Sequence, residues 1–181
     1  MGTGHTDPQR RERILTATLD HIADEGVAGV SHRKIATRAG VPLGSMTYHF
    51  HGIDELLHEA FTRFADHIVT VFEQHLSTAD DTEQTRQAIV DLIHTIAEGP
   101  QRDLVLAQEL YTLAARRPEY RELTRVWMSR SRDLLQQHFD TDTARQLDAL
   151  IEGLTLHQAL DTTPHNRDLT SEAVRRITTT A

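Results

Sequence analysis

The chain has 181 residues, with 19 basic and 27 acidic groups, a formal net charge of −8 and no cysteine. That length can bury a real core as one large or two small domains, while the absence of cysteine excludes a disulfide framework and a thiolate zinc site. No charged-then-apolar leader opens the sequence and no apolar run approaches membrane-spanning length, so a soluble, cytoplasmic protein with no membrane partner is expected.

Strand signals are nearly absent and helical periodicity recurs throughout. An all-α fold of about nine helices is predicted, with a three-helix helix-turn-helix domain over residues 1–52 and a helical bundle over residues 53–181. Asp7-Pro8 is a cap and first-turn pair for a first helix that carries Ile14, Leu15, Leu19, Ile22 and Ala23 on one stripe and stops at Gly26. Val27 and Val30 close its small core. Ser31 caps a second helix, SHRKIATRA, which runs into a Gly40-Val41-Pro42 turn, and a third, LGSMTYHF, follows directly. Ala36, Gly40 and Val41 are small or apolar where two helices cross closely, and Met46 and Phe50 point inward.

After Phe50, Gly52 begins a long helix with Leu57, Phe61, Phe64, Ile68, Phe72 and Leu76 spaced alternately by three and four. Residues 77–82 break it. Ile89, Leu92, Ile93 and Ile96 form the next apolar face, which Gly99-Pro100 ends. DLVLAQELYTLAA is apolar around most of its circumference, as in a helix enclosed by others. Pro118 restarts the chain, and Leu123, Val126, Trp127, Leu134 and Leu135 mark a helix ending near Phe139. A helix over 143–160, a loop at Thr162-Thr163-Pro164 and a short helix over 169–178 complete the sequence.

Charge is divided unevenly. Residues 1–52 hold Arg10, Arg11, Arg13, Arg33, Lys34 and Arg38 against five acids, a balance of +1, which leaves −9 for the remainder. A weakly basic head on an acidic body suits a sequence-specific binder of double-stranded DNA rather than a coating protein.

Read in order, the amphipathic first helix, the glycine-containing link, the Ser31-started helix, Ala39-Gly40-Val41, then Ser45-Met46-Thr47-Tyr48-His49-Phe50 and a paired leucine make residues 8–57 resemble the N-terminal domain of the TetR family of transcriptional regulators. The resemblance implies that the helix from Leu43 to Phe50 lies in the major groove, with Gly44 allowing close backbone approach and Ser45 and Thr47 facing out. Leu43 or the Thr47 methyl would meet a thymine methyl, and Arg33 a guanine edge. Tyr48 and His49 would bond phosphates at the helix end, and Ser31, His32 and Lys34 would hold one at the start of the preceding helix. Taken alone, Ser31 is better read as a cap, a role it can combine with phosphate contact. Family members often carry a lysine where this chain has Ile53, so that phosphate contact is lost and backbone N–H groups would have to serve.

Beyond about residue 58 the resemblance is one of helix number and length, and implies a domain that binds a small-molecule effector and dimerises. Candidate pocket residues are Phe64, Ile68, Phe72, Leu92, Ile96, Leu106, Leu110, Leu113, Trp127 and Leu135, with Glu109 and Ser131 as polar groups in apolar surroundings. The last two helices would form a homodimer contact through Leu147, Leu150, Ile151, Gly153, Leu154, Val174 and Ile177, giving a pseudo-palindromic operator. Twelve histidines are scattered without metal-ligand spacing, and neither a phosphate loop nor a nucleophile elbow occurs, so no metal, cofactor or catalytic site is expected. The reading is thus a DNA-binding regulator, a repressor released by its effector. Two alternatives stay open: a small-molecule-binding protein whose DNA head has lost function, and an activator with the same head.

Overall fold

The computed structural model describes residues 9–163 and 166–179. Among them run nine α-helices: α1 (Arg10–Glu25), α2 (His32–Ala39), α3 (Leu43–His49), α4 (Ile53–Leu76), α5 (Thr82–Ala97), α6 (Gln101–Arg116), α7 (Arg121–Leu135), α8 (Thr141–Leu160) and α9 (Arg167–Thr178). Short 3₁₀ turns lie at Val27–Gly29 and Pro118–Tyr120, and no strand occurs among the described residues. The fold is all-α, as the periodicity implies.

Local chemistry sets the head. The stripe of α1 buries Ile14, Leu15, Leu19 and Ile22, and the helix stops at Gly26, whose φ of 74° suits a residue without Cβ. Ser31 sits in extended backbone and its hydroxyl accepts the Lys34 N–H at 3.3 Å, a cap worth about 1 kcal/mol. At the other end of α2, Gly40 takes the left-handed conformation and donates its N–H to Ala36 and Thr37 carbonyls. Pro42, with φ fixed at −59°, then leads into α3. Met46 and Phe50 are buried against the α1 and α2 core, as expected.

The 24-residue α4 is about 36 Å long at 1.5 Å per residue. It packs against α1 near its start and against α5 and α7 further on, so it belongs to head and body alike. Leu57, Phe61, Phe64, Ile68, Phe72 and Leu76 are all buried along it. Around it, α7 packs on α8, while α5 packs on α8 and α9.

Several boundaries differ from the sequence reading. Asp7-Pro8 and Pro164 lie outside the described residues, and the first described helical residue of α1 is Arg10. The helix expected from residue 143 begins at Thr141, because the Asp140 carboxylate accepts N–H bonds from Asp142 and Thr143 at 3.0 Å. Asn166 likewise starts α9 two residues early, and Asp81 caps α5 through the Gln84 N–H at 2.8 Å. These caps lie among polar residues outside the apolar stripes, which is why periodicity alone passes over them.

Candidate nucleic-acid interface and interior cavity

In α3 the helical turn angle sorts the residues into two faces. Leu43, Gly44, Thr47 and Tyr48 face outward, with Leu43 51% and Tyr48 75% exposed, although both are large side chains. His49 is half-buried, and its ring meets Tyr48 edge-on at 4.9 Å between centroids. Ser45 corrects the expectation that it faces solvent. It is only 7% exposed, because it falls beside Met46 on the inner face, where its small side chain permits close approach to the rest of the head.

Along α2 the exposed residues are Arg33, Lys34, Thr37 and Arg38. Arg33 makes no ion pair or hydrogen bond through its guanidinium among the described residues. Lys34 instead reaches Glu25 at 2.8 Å and Arg38 reaches Asp24 at 2.5 Å, so acids at the end of α1 already hold two of the cations. The Lys34 ammonium beside it holds the Glu25 carboxyl below its ordinary range. His32 is half-buried and its Nε2 is enclosed without a partner, which argues against the phosphate role expected of it. Ser31 is engaged as the cap.

The start of α4 is acidic rather than anion-binding. Ile53 packs half-buried on the core, Glu55 accepts the His51 N–H at 2.5 Å, and Asp54 pairs with Arg117 at 2.9 Å. The Arg117 guanidinium holds the Asp54 carboxyl below its usual range. The expectation that backbone groups here replace the missing lysine therefore weakens, since two carboxylates oppose a phosphate.

Further contacts tie head to body. Arg102 on α6 pairs with Asp20 on α1 at 2.8 Å, and Arg63 on α4 pairs with Glu12 at 2.6 Å. Arg11 pairs with Glu59 while its guanidinium lies over the Phe50 ring. Glu109 on α6 accepts the Val27 N–H at 3.0 Å.

Within the body lies a cavity of about 500 Å³, walled by α4, α5, α6, α7 and α8. One wall is aromatic: Tyr111 stacks on Trp127 with centroids 5.5 Å apart and planes 13° off parallel, and Phe64 meets Trp127 edge-on at 5.8 Å. A second wall, α8, carries Arg145, Asp148 and Glu152, and Asp103 and Arg132 also line the space. Burial pushes the Asp148 carboxyl up to about 6, although Arg132 at 3.4 Å pulls the other way. Glu152 lines the cavity while remaining reachable by solvent, and its carboxyl is raised chiefly by burial, against the pull of Tyr111. Burial also pushes the Tyr111 phenol up, with Glu152 adding to it. Thr155 lines the same wall with its Oγ1 enclosed and unpartnered. Among the described residues no group of three or more His, Asp or Glu is placed to hold a metal ion, and no helix is long and apolar enough to cross a membrane.

Comparison with known proteins decides the family. The tetR-family model of bacterial regulatory proteins matches residues 14–60, and the tetracyclin repressor-like C-terminal domain matches residues 80–180. The chain belongs to the TetR family of transcriptional regulators. The solved structure of SCO7518 from Streptomyces coelicolor A3(2) is 69% identical, covers 96% of this chain and 100% of that one, and superposes with a TM-score of 0.93. The multidrug binding protein EbrR, solved with imidazole, is 32% identical over 97% of this chain and 98% of its own, with a TM-score of 0.84. EbrR is also known in complexes with proflavin, ethidium and malachite green. The transcriptional regulator PksA of Bacillus subtilis strain 168 is 29% identical over 174 residues, 88% of this chain and 83% of PksA.

In this TetR-family regulator, half of the expected pocket residues line the cavity: Phe64, Ile68, Phe72, Ile96, Trp127 and Ser131. The Ser131 hydroxyl turns back to the Trp127 carbonyl at 3.4 Å, within its own helix. Leu92, Leu106, Leu110 and Leu135 are instead solid core at 0% exposed, Leu113 is buried, and Glu109 faces the head. An apolar helix position shows that a side chain is buried, without showing whether space lies beside it. The expected interface needs a similar correction. Leu147 and Val174 are 0% exposed inside the chain's own core, and Ile151 and Gly153 line the cavity. Leu150, Leu154 and Ile177 stay half-buried, while Leu160 and Leu169 are more than 60% exposed. Among the missed cavity residues, Asp148, Glu152, Thr155 and Leu156 come from α8, which sequence reading assigns to the interface, while Tyr111 and Gln108 come from α6 and Met128 and Arg132 from α7.

Proposed function

We propose that this regulator is a homodimeric repressor, acting in the cytoplasm where its DNA lies, that leaves a pseudo-palindromic operator when a flat organic cation enters its cavity. The head, residues 1–52, docks α3 in the major groove through Leu43, Gly44, Thr47 and Tyr48, with unpaired Arg33 reaching a base edge. His49 contributes a phosphate contact beside that core. The body, residues 53–181, senses the effector and pairs through α8 and α9, where Leu150, Leu154, Leu160, Leu169 and Ile177 remain uncovered or half-covered.

The observation that carries the effector class is the Tyr111–Trp127 stack in a cavity that Glu152 also lines. A ring pair offers its π face to a cation, and the neighbouring Glu152 carboxylate supplies a counter-ion. EbrR complexes with ethidium, proflavin and malachite green support the same chemistry in a relative of similar length.

The chain has a single tryptophan, Trp127, so its fluorescence reports the cavity directly. Titration with ethidium or malachite green is expected to quench it and to release a duplex chosen by selection of bound sequences. Saturating dye that leaves both fluorescence and operator affinity unchanged removes the cation reading. Sedimentation as a monomer at micromolar concentration, or footprinting of one unsymmetrical half-site, removes the dimer.

A further inference from the structure

Helix α6 touches two things at once. One side lines the cavity with Asp103, Leu104, Ala107, Gln108 and Tyr111. Its neighbouring residue Glu109 turns the other way, to the link between α1 and α2, where its carboxylate accepts the Val27 N–H at 3.0 Å. The link is shaped for that carboxylate: Gly26 has a φ of 74°, and a Cβ there would lie 3.1 Å from Glu109 Oε1. A charge-assisted bond to a backbone N–H is short-ranged and directional, so it reports small movements of its helix. Arg102, one end of the same helix, holds Asp20 on α1. The link it grips leads straight into Ser31 and Arg33, the start of the DNA-facing α2.

We propose that Glu109 is a coupling residue: occupation of the cavity moves α6, and Glu109 carries that movement to the Gly26-Val27 link and so to the placement of α2 on DNA. This rests on the reading of the cavity as the place where occupancy is sensed, and supplies a route to the head beside the long α4. Glu109 touches neither effector nor DNA. Its contribution is the difference between two arrangements of α6.

The test is a double-mutant cycle that needs no effector. Ala107→Phe puts bulk into the cavity from α6 and stands in for an occupant, and Gln108→Trp replaces it should that variant not fold by circular dichroism. With Glu109 present, the filled cavity is expected to weaken operator binding about fivefold or more, the lower end of ordinary coupling. In the Glu109→Ala background the same filling is expected to cost less than about twofold. Glu109→Gln keeps an acceptor for Val27 and should restore part of the coupling, which a merely structural role would not do. An equal loss with and without Glu109, or no loss from a folded, filled variant, overturns the proposal. Because the cycle uses no dye, a protein that ignores the dyes yet obeys the cycle loses only its proposed ligand class.

Discussion

The head and the body use similar side chains in opposite ways. In the head, Arg33, Lys34, Thr47 and Tyr48 lie outside, where water screens them and only a partner as densely charged as DNA gives them a combined hold. In the body, Asp148, Glu152 and Tyr111 line an interior space, where desolvation is the largest cause of the rise in their proton affinities. The lesson is that burial, rather than residue type, decides whether a polar group greets a macromolecule or a small ligand. Even in the head the cations are not equivalent, since Glu25 and Asp24 already hold Lys34 and Arg38 while the Arg33 guanidinium has no ion-pair partner among the described residues.

The sharpest way to break this contrast is Arg33→Ala. A lost bidentate base contact should cost about 10- to 100-fold in operator affinity, with dye binding unchanged, and a gel shift beside a fluorescence titration reads both. If operator affinity is untouched, the base-reading role of Arg33 is wrong. The mirror experiment is Glu152→Gln, which should weaken dye binding about tenfold and leave operator affinity without dye where it was. A dye affinity that ignores this change would move the counter-ion elsewhere in the cavity.

A smaller effect comes from pH. The Asp148 carboxyl titrates at about 6 in the folded chain against 3.8 when free, so the folded state keeps a proton that the unfolded state gives up. This group's contribution to stability is therefore present below about pH 4 and declines as pH rises through 6, and Asp148→Asn should flatten that decline in thermal unfolding curves. Dye binding runs the other way, gaining about fivefold between pH 5 and 7 as the carboxylate ionises. A flat profile in the parent protein would mean that Asp148 does not face the cation. The mildest change is Tyr48→Phe, expected to weaken operator binding about threefold through one lost phosphate bond. Its exposed ring gives the fold little reason to respond.

Much of this molecule was legible before any coordinate. The nine helices among the described residues, the Gly40 turn, the inward Met46 and Phe50, and the buried stripe of α4 follow from periodicity and the left-handed freedom of glycine, which act within a few residues of chain. Ser45 shows the limit of that reasoning, because in a helix as short as α3 a residue at the edge of the stripe is assigned to one face only by what packs beside it. Glu109 shows it more strongly: a carboxylate in an apolar run signals that a partner exists, and the partner proved to be the Val27 N–H of the distant head rather than the cavity. The sequence by itself determined which elements form and that a DNA-reading head precedes a helical body. Only the tertiary structure decided where the empty space lies, that α8 walls it, and which cations stay unpaired, because voids and ion pairs depend on distances between segments far apart along the chain.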